Sequence, residues 1–137
     1  IIFVGLMFYY HFYPTLVGVL LVIPALIITF LSFSGLGLIF SSINVKYRDV
    51  RYALPFFIQL LVFLTPVIYP SSILGKHQWL LYFNPMSGVI ETMRVGLLGV
   101  GTINWFAFGF SALFSIIIFI SGLFYFKRSE RFFADII

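Results

Sequence analysis

Apolar residues run almost without interruption from Ile1 to Val45, and no Asp, Glu, Lys or Arg occurs before Lys46. A charge-free stretch of that length favours helices in lipid, because an apolar run of roughly 20 residues rises about 30 Å as a helix, the thickness of the hydrocarbon core. Pro14 divides the run. Residues 1–13 rise only about 20 Å as a helix and read as the outer end of a span whose beginning precedes this sequence. Residues 15–43 then form a complete span of about 44 Å, with Pro24 the place for a kink. The first charges, Lys46, Arg48, Asp49 and Arg51, mark residues 44–52 as a loop.

Residues 53–69 form the next apolar run, with Pro55 near its start, where a missing N–H is tolerated, and Pro66 near its end. The segment 70–103 is mixed and contains no run long enough to cross. Asn84-Pro85 nevertheless has the chemistry of an N-cap followed by N1, and Met86, Val89, Ile90, Met93 and Leu97 recur at helical spacing. With the apolar stretch Trp79 to Phe83, this predicts two short helices, about 73–83 and 85–98, that dip into the membrane and return. Broken backbone of that kind survives at membrane depth only where protein or a water-filled cavity covers it. Residues 104–126 give a final span of about 35 Å, and 127–137 a basic, then mixed tail.

Orientation follows from the cations. Lys46, Arg48, Arg51, Lys127, Arg128 and Arg131 fall on one side of the spans and Lys76 and Arg94 on the other, so the first set is expected in the cytoplasm, together with the C-terminus. The eight tyrosines and two tryptophans cluster at or near the predicted span ends and in the 70–103 segment, as an interfacial belt requires.

Composition agrees with the pattern: 62% of the 137 residues are hydrophobic, 9% are charged and the mean hydropathy is +1.14. Twelve charged residues cannot supply the polar surface of a water-soluble domain of this size. The net charge of +4 comes from clusters flanking apolar runs, which argues against a nucleic-acid partner. There is no cysteine, and the two histidines, His11 and His77, are far apart in sequence, so neither a thiol nucleophile nor a metal cluster is suggested. No G-x-x-x-x-G-K-[ST] pattern occurs, so energy from ATP would have to come from another chain.

The polar residues of the spans, among them Thr29, Ser32, Ser34, Ser41, Ser42, Gln59, Thr65, Ser111, Ser115 and Ser121, fit helix packing better than substrate binding. Gly5, Gly18, Gly35 and Gly37, with Ser34 and Ser41, are candidates for close helix approach. Glu91 and Arg94 suit either a surface ion pair or a pore entrance.

Three segments carry a resemblance: NVKYRDVRYALPFFIQLLVFLTPVIYP (44–70), NPMSGVIETMRVGLLG (84–99) and FYFKRSERFFADII (124–137). In order and spacing they resemble the permease of ABC-2-type polysaccharide exporters, the family that moves lipid-linked O-antigen, capsule or teichoic-acid polymers. The first contains the Arg48-Asp49 pair of a cytoplasmic loop, followed by Arg51, and ends in Thr-Pro-Val-x-Tyr-Pro.

The resemblance implies an all-α bundle, here the C-terminal part of a six-span permease. Residues 1–13 would close the third span, 15–43 would form the fourth, 53–69 the fifth and 104–126 the sixth, with an external re-entrant hairpin before the last. It implies a non-catalytic subunit in the bacterial cytoplasmic membrane that works as a homodimer. Separate ABC ATPase subunits would bind ATP and Mg, and this chain would hold no cofactor. The substrate path is expected to include Tyr69, Trp79 and Tyr82, which border the hairpin, with Glu91 and Arg94 as motif positions. Rival readings are an ABC-2 exporter of a drug or lipid, a membrane-embedded transferase, for which no acid, base or metal ligands cluster, and a purely structural anchor.

Overall fold

The computed structural model describes residues 2–47, 49–67, 81, 84–99 and 101–134. Its elements are α1 (Ile2–Tyr10), α2 (Leu16–Lys46), α3 (Val50–Leu64), α4 (Pro85–Leu98) and α5 (Trp105–Ala134), and the described residues contain no strand. The all-helical expectation holds.

Each helix end has a local cause. Helix α1 stops where His11 turns left-handed at φ 54° and the Phe12 N–H reaches back to the Met7 carbonyl at 3.1 Å, a Schellman-type closure with histidine in the place glycine usually takes. Thr15 caps α2 by accepting the Gly18 N–H at 3.0 Å, and Pro24 is accommodated inside the continuous helix. Asn84 caps α4 by accepting the Met86 N–H at 3.0 Å, with Pro85 at N1, as the sequence indicated. Gly99, at φ 68°, ends α4 in the left-handed region that suits glycine. Asn104 accepts the Ala107 N–H at 3.1 Å and starts α5.

Three boundaries differ from the sequence-based expectation. The 44–52 loop contracts, because α2 continues to Lys46 and α3 begins at Val50; Asn44 to Lys46 can all be helical, and Lys46 in the last turn complements the dipole. Helix α3 stops at Leu64 rather than running to 69, since Pro66 disfavours helical backbone at the residue before it and Thr65 is extended at φ −89°, ψ 128°. Its 15 residues rise about 22 Å. Helix α5 continues through the basic tail to Ala134, where no Gly or Pro interrupts Lys127 to Ala134.

The two long helices, α2 and α5, are long and apolar enough to cross a membrane. They pack in parallel: Ser32 meets Ser115, and Gly35 meets Phe119 and Gly122, so position rises along both together. The basic ends, Lys46 on one helix and Lys127 and Arg128 on the other, therefore lie at the same end of the bundle. Helix α4 fills the cleft at the opposite end and runs antiparallel to α2, with Gly96 against Gly18 and Val89 against Ala25 and Ile28.

The contacts are made by small residues. A Cβ added at Gly35 would fall 2.7 Å from the Phe119 Cα, one at Gly122 would fall 2.5 Å from the Gly35 carbonyl oxygen, and one at Gly96 would fall 2.6 Å from the Gly18 Cα. Gly88 is held as tightly against Ala107 and Ser111. By contrast Gly5 and Gly37 have no neighbour within 4 Å, so only part of the glycine set serves packing.

The interior is correspondingly polar. Ser32, Ser42, Thr65, Asn84, Ser87, Thr92, Ser111 and Ser115 are buried, against Ala25, Ile28, Leu81, Val89 and Ala107 among apolar residues, while Phe30, Phe33 and Phe124 are exposed. Ser32 and Ser115 share a 2.7 Å hydrogen bond, and their hydroxyls also lie 2.9 Å and 2.6 Å from the carbonyls of Ile28 and Ser111. Each hydroxyl has one proton, so the two protons are divided among three contacts. The serines thus serve packing and back-bonding, as expected; Ser41 and Ser121 are exposed instead.

Gly35→Ala is expected to lower thermal stability in membranes by about 1–3 kcal/mol through overpacking. Gly37→Ala, in open space on the same helix, is expected to be neutral or slightly stabilising. Equal effects in a melting measurement of the two variants would contradict the packing described.

Candidate functional site

The break between α3 and α4 lies deep in the bundle. Helix α3 leaves the basic end antiparallel to α2, and Phe57 stacks edge-on against Phe40 at 5.2 Å between ring centres. Thr65 is eight residues past Phe57, about 12 Å further along, which brings it level with Ser32. Counting along α4 gives the same level: Val89 sits beside Ile28, and Asn84 is five residues earlier, about 7 Å toward the basic end. Ser32 is close to the middle of α2, which extends from Leu16 to Lys46.

Backbone interrupted at that depth leaves peptide groups that must find partners. The Leu61 carbonyl accepts from the Thr65 N–H at 3.0 Å and from the Thr65 hydroxyl at 2.7 Å. Asn84 Nδ2 donates to Thr65 Oγ1 at 2.6 Å, joining the end of α3 to the start of α4. The guanidinium of Arg94 donates through Nη2 to the Pro66 carbonyl at 2.7 Å and to the Val67 carbonyl at 3.1 Å. A second polar junction closes the far end of the cleft, where the Thr15 N–H and hydroxyl both donate to the Gly96 carbonyl, at 3.0 and 2.9 Å.

Of the residues singled out from sequence, Arg94 and Glu91 lie partly buried on α4, and Arg94 takes part in the α3–α4 junction. Asp49 and Arg51 are exposed where α3 begins; the Asp49 side chain makes no cap, while its carbonyl accepts the Tyr52 N–H at 3.0 Å. Arg48, Tyr69, Trp79 and Tyr82 lie outside the described residues, as does most of the 73–83 helix.

The sequence reading missed the pairing of Thr65 with Asn84 and the carbonyl partners of Arg94. Two signals pointed there. A Thr-Pro step that ends a helix frees carbonyls, and a cation on a short helix in apolar surroundings has to find acceptors.

Near the basic end, Ser121, Phe124, Tyr125, Lys127 and Arg128 line an open hollow on α5. The aromatic–cation composition is that of a helix leaving the membrane interface. Phe106, Phe110 and Phe114 form a stacked ladder nearer the start of α5, with ring centres 6.3 and 6.2 Å apart. Among the described residues no group of His, Cys, Asp and Glu is arranged to hold a metal ion.

Compared with known proteins, the chain matches the family model described as ABC-2 type transporter over residues 1–98. It is 30% identical over 136 residues to an O-antigen export system permease protein RfbA of Klebsiella pneumoniae, covering 96% of this chain and 51% of that protein. A second protein of the same name and organism is 28% identical over 104 residues, 75% of this chain and 40% of the relative. The chain therefore spans about half the length, or less, of the curated relatives it matches. No solved structure matches it.

Asn84→Ala removes both the α4 cap and the bond to Thr65. It is expected to cost about 1–2 kcal/mol and to speed hydrogen exchange at the Met86 amide. Unchanged protection of that amide would show that Asn84 does not hold the junction.

Proposed function

The chain belongs to the ABC-2 type transporter family, and from that premise we propose that it is part of the permease of a polysaccharide exporter, moving a lipid-linked polymer of the O-antigen class across the bacterial cytoplasmic membrane. The observation that carries the substrate class is the similarity to the O-antigen export system permease along 96% of the chain. The helical architecture is compatible with it: two parallel apolar helices long enough to cross, a third, shorter helix that breaks mid-depth, and a fourth lodged between the long pair.

In this reading the chain contributes no catalytic group. Separate ATPase subunits bind ATP and Mg on the side of Asp49, Arg51, Lys127 and Arg128, and two permease protomers enclose the path. Aromatic rings suit a sugar polymer, because a ring face stacks on a sugar ring without demanding one sequence of sugars. Tyr69, Trp79 and Tyr82 remain our candidates for that role, and Glu91 is a further candidate for the path; Arg94 is better suited to holding backbone than to touching sugar, given its two carbonyl partners. Arg48 and its neighbours in the cytoplasmic loop face the ATPase in this scheme.

The deciding experiment is reconstitution of the full-length permease with its ATPase in vesicles. Polymer translocation that stops when ATP hydrolysis is blocked supports the proposal, and translocation without the ATPase sinks it. Orientation has its own test, since the chain lacks cysteine. Single cysteines at Tyr47 and Tyr125 are expected to react with impermeant reagent only from the cytoplasmic side, and those at Tyr13 and Trp105 only from outside. The reverse labelling would overturn the topology.

A further inference from the structure

Within this chain helix α3 has no buried residue, and near the basic end Phe57 meets Phe40. Helix α4, in contrast, is wedged between α2 and α5 at Gly18, Ala107 and Ser111, with Pro85, Ser87, Gly88, Val89, Thr92 and Gly96 buried. A helix with no side chain buried within this chain is thus bonded at its far end to one with six buried residues. The bonds are Asn84 to Thr65 and Arg94 to the Pro66 and Val67 carbonyls.

We propose that these bonds form a latch that makes α3 and α4 move as one unit, with Arg94 as the positioning residue. The physical reason is the cost of opening it. Separating the helices would take from the Pro66 and Val67 carbonyls the donor that Arg94 supplies, a cost that sliding apolar side chains past one another does not carry. A displacement of the exposed Asp49–Arg51 end of α3 therefore arrives at α4 rather than being absorbed at the break. Both bonds leave one guanidinium nitrogen, Nη2, so a lysine ammonium, with three N–H donors on one atom, can replace them in part. The latch's part in transport rests on the export reading; the coupling of α3 to α4 does not.

The test uses the full-length permease–ATPase complex in lipid, spin-labelled at Leu60→Cys on α3 and Leu98→Cys on α4. The latch predicts one narrow distance distribution that is the same with and without nucleotide. Arg94→Gln is expected to broaden it and to reduce polymer exported per ATP hydrolysed about tenfold. Arg94→Lys should recover part of both, which a variant that merely lowers the amount of folded protein would not. Thr65→Val, which leaves Arg94 untouched, supplies a second opening of the latch should Arg94→Gln fail to fold. An unchanged distribution in the folded latch variants, or an α3–α4 distance in the unsubstituted complex that changes with nucleotide, overturns the proposal. Absence of ATP-dependent export in the unsubstituted complex would instead remove the transport reading, and the distances would still judge the latch.

Discussion

The close approach of helix backbones at glycine and serine is the constraint on which the rest of the architecture depends. In lipid, water gives no hydrophobic drive to bring two apolar helices together, so contact must come from packing and from hydrogen bonds between them. Gly35 against Phe119 and Gly122, with Ser32 bonded to Ser115, supplies both and fixes α2 and α5 in parallel. Gly18 against Gly96 and Gly88 against Ala107 then admit α4 to the cleft between them. Larger residues at those positions would close the cleft.

Once α4 is lodged there, its start falls halfway along α2, and α3 must stop at the same depth to meet it. That geometry explains the chemistry at the junction. A helix broken by Pro66 in apolar surroundings leaves carbonyls in need of donors, which Thr65 and Arg94 supply, while Asn84 donates to the Thr65 hydroxyl. Arg94, which a sequence reading assigns to a pore entrance or a surface pair with Glu91, has backbone acceptors as well. The polar interior and the apolar exterior are two consequences of one solvent.

Much of this was legible from residue order. The charge-free runs located α2 and α5, the Asn84-Pro85 step located the start of α4, and the small hydroxyl residues within the spans pointed to packing. The six cations assigned to one side came from charge asymmetry alone; the parallel register of α2 and α5 independently brings Lys46, Lys127 and Arg128 to a common end. What residue order did not convey were relations between helices. Nothing in a glycine distinguishes Gly35, which touches a backbone, from Gly37, which touches nothing. The early end of α3 turned on one Thr-Pro step inside an otherwise continuous apolar run, where hydropathy outweighed the restriction that proline places on its neighbour. The helical course of the basic tail was hidden because charge marks the end of a span, not the end of a helix.

The central structural claim is that α2 and α5 cross the membrane in parallel with Ser32 facing Ser115. It is tested most directly by replacing both serines with cysteine in the full-length protein and oxidising in native membranes. The account predicts rapid disulfide formation within one chain for that pair and none for Phe33→Cys with Ile116→Cys, whose positions face outward. Failure of the first pair to cross-link, or equal cross-linking of both pairs, would contradict it.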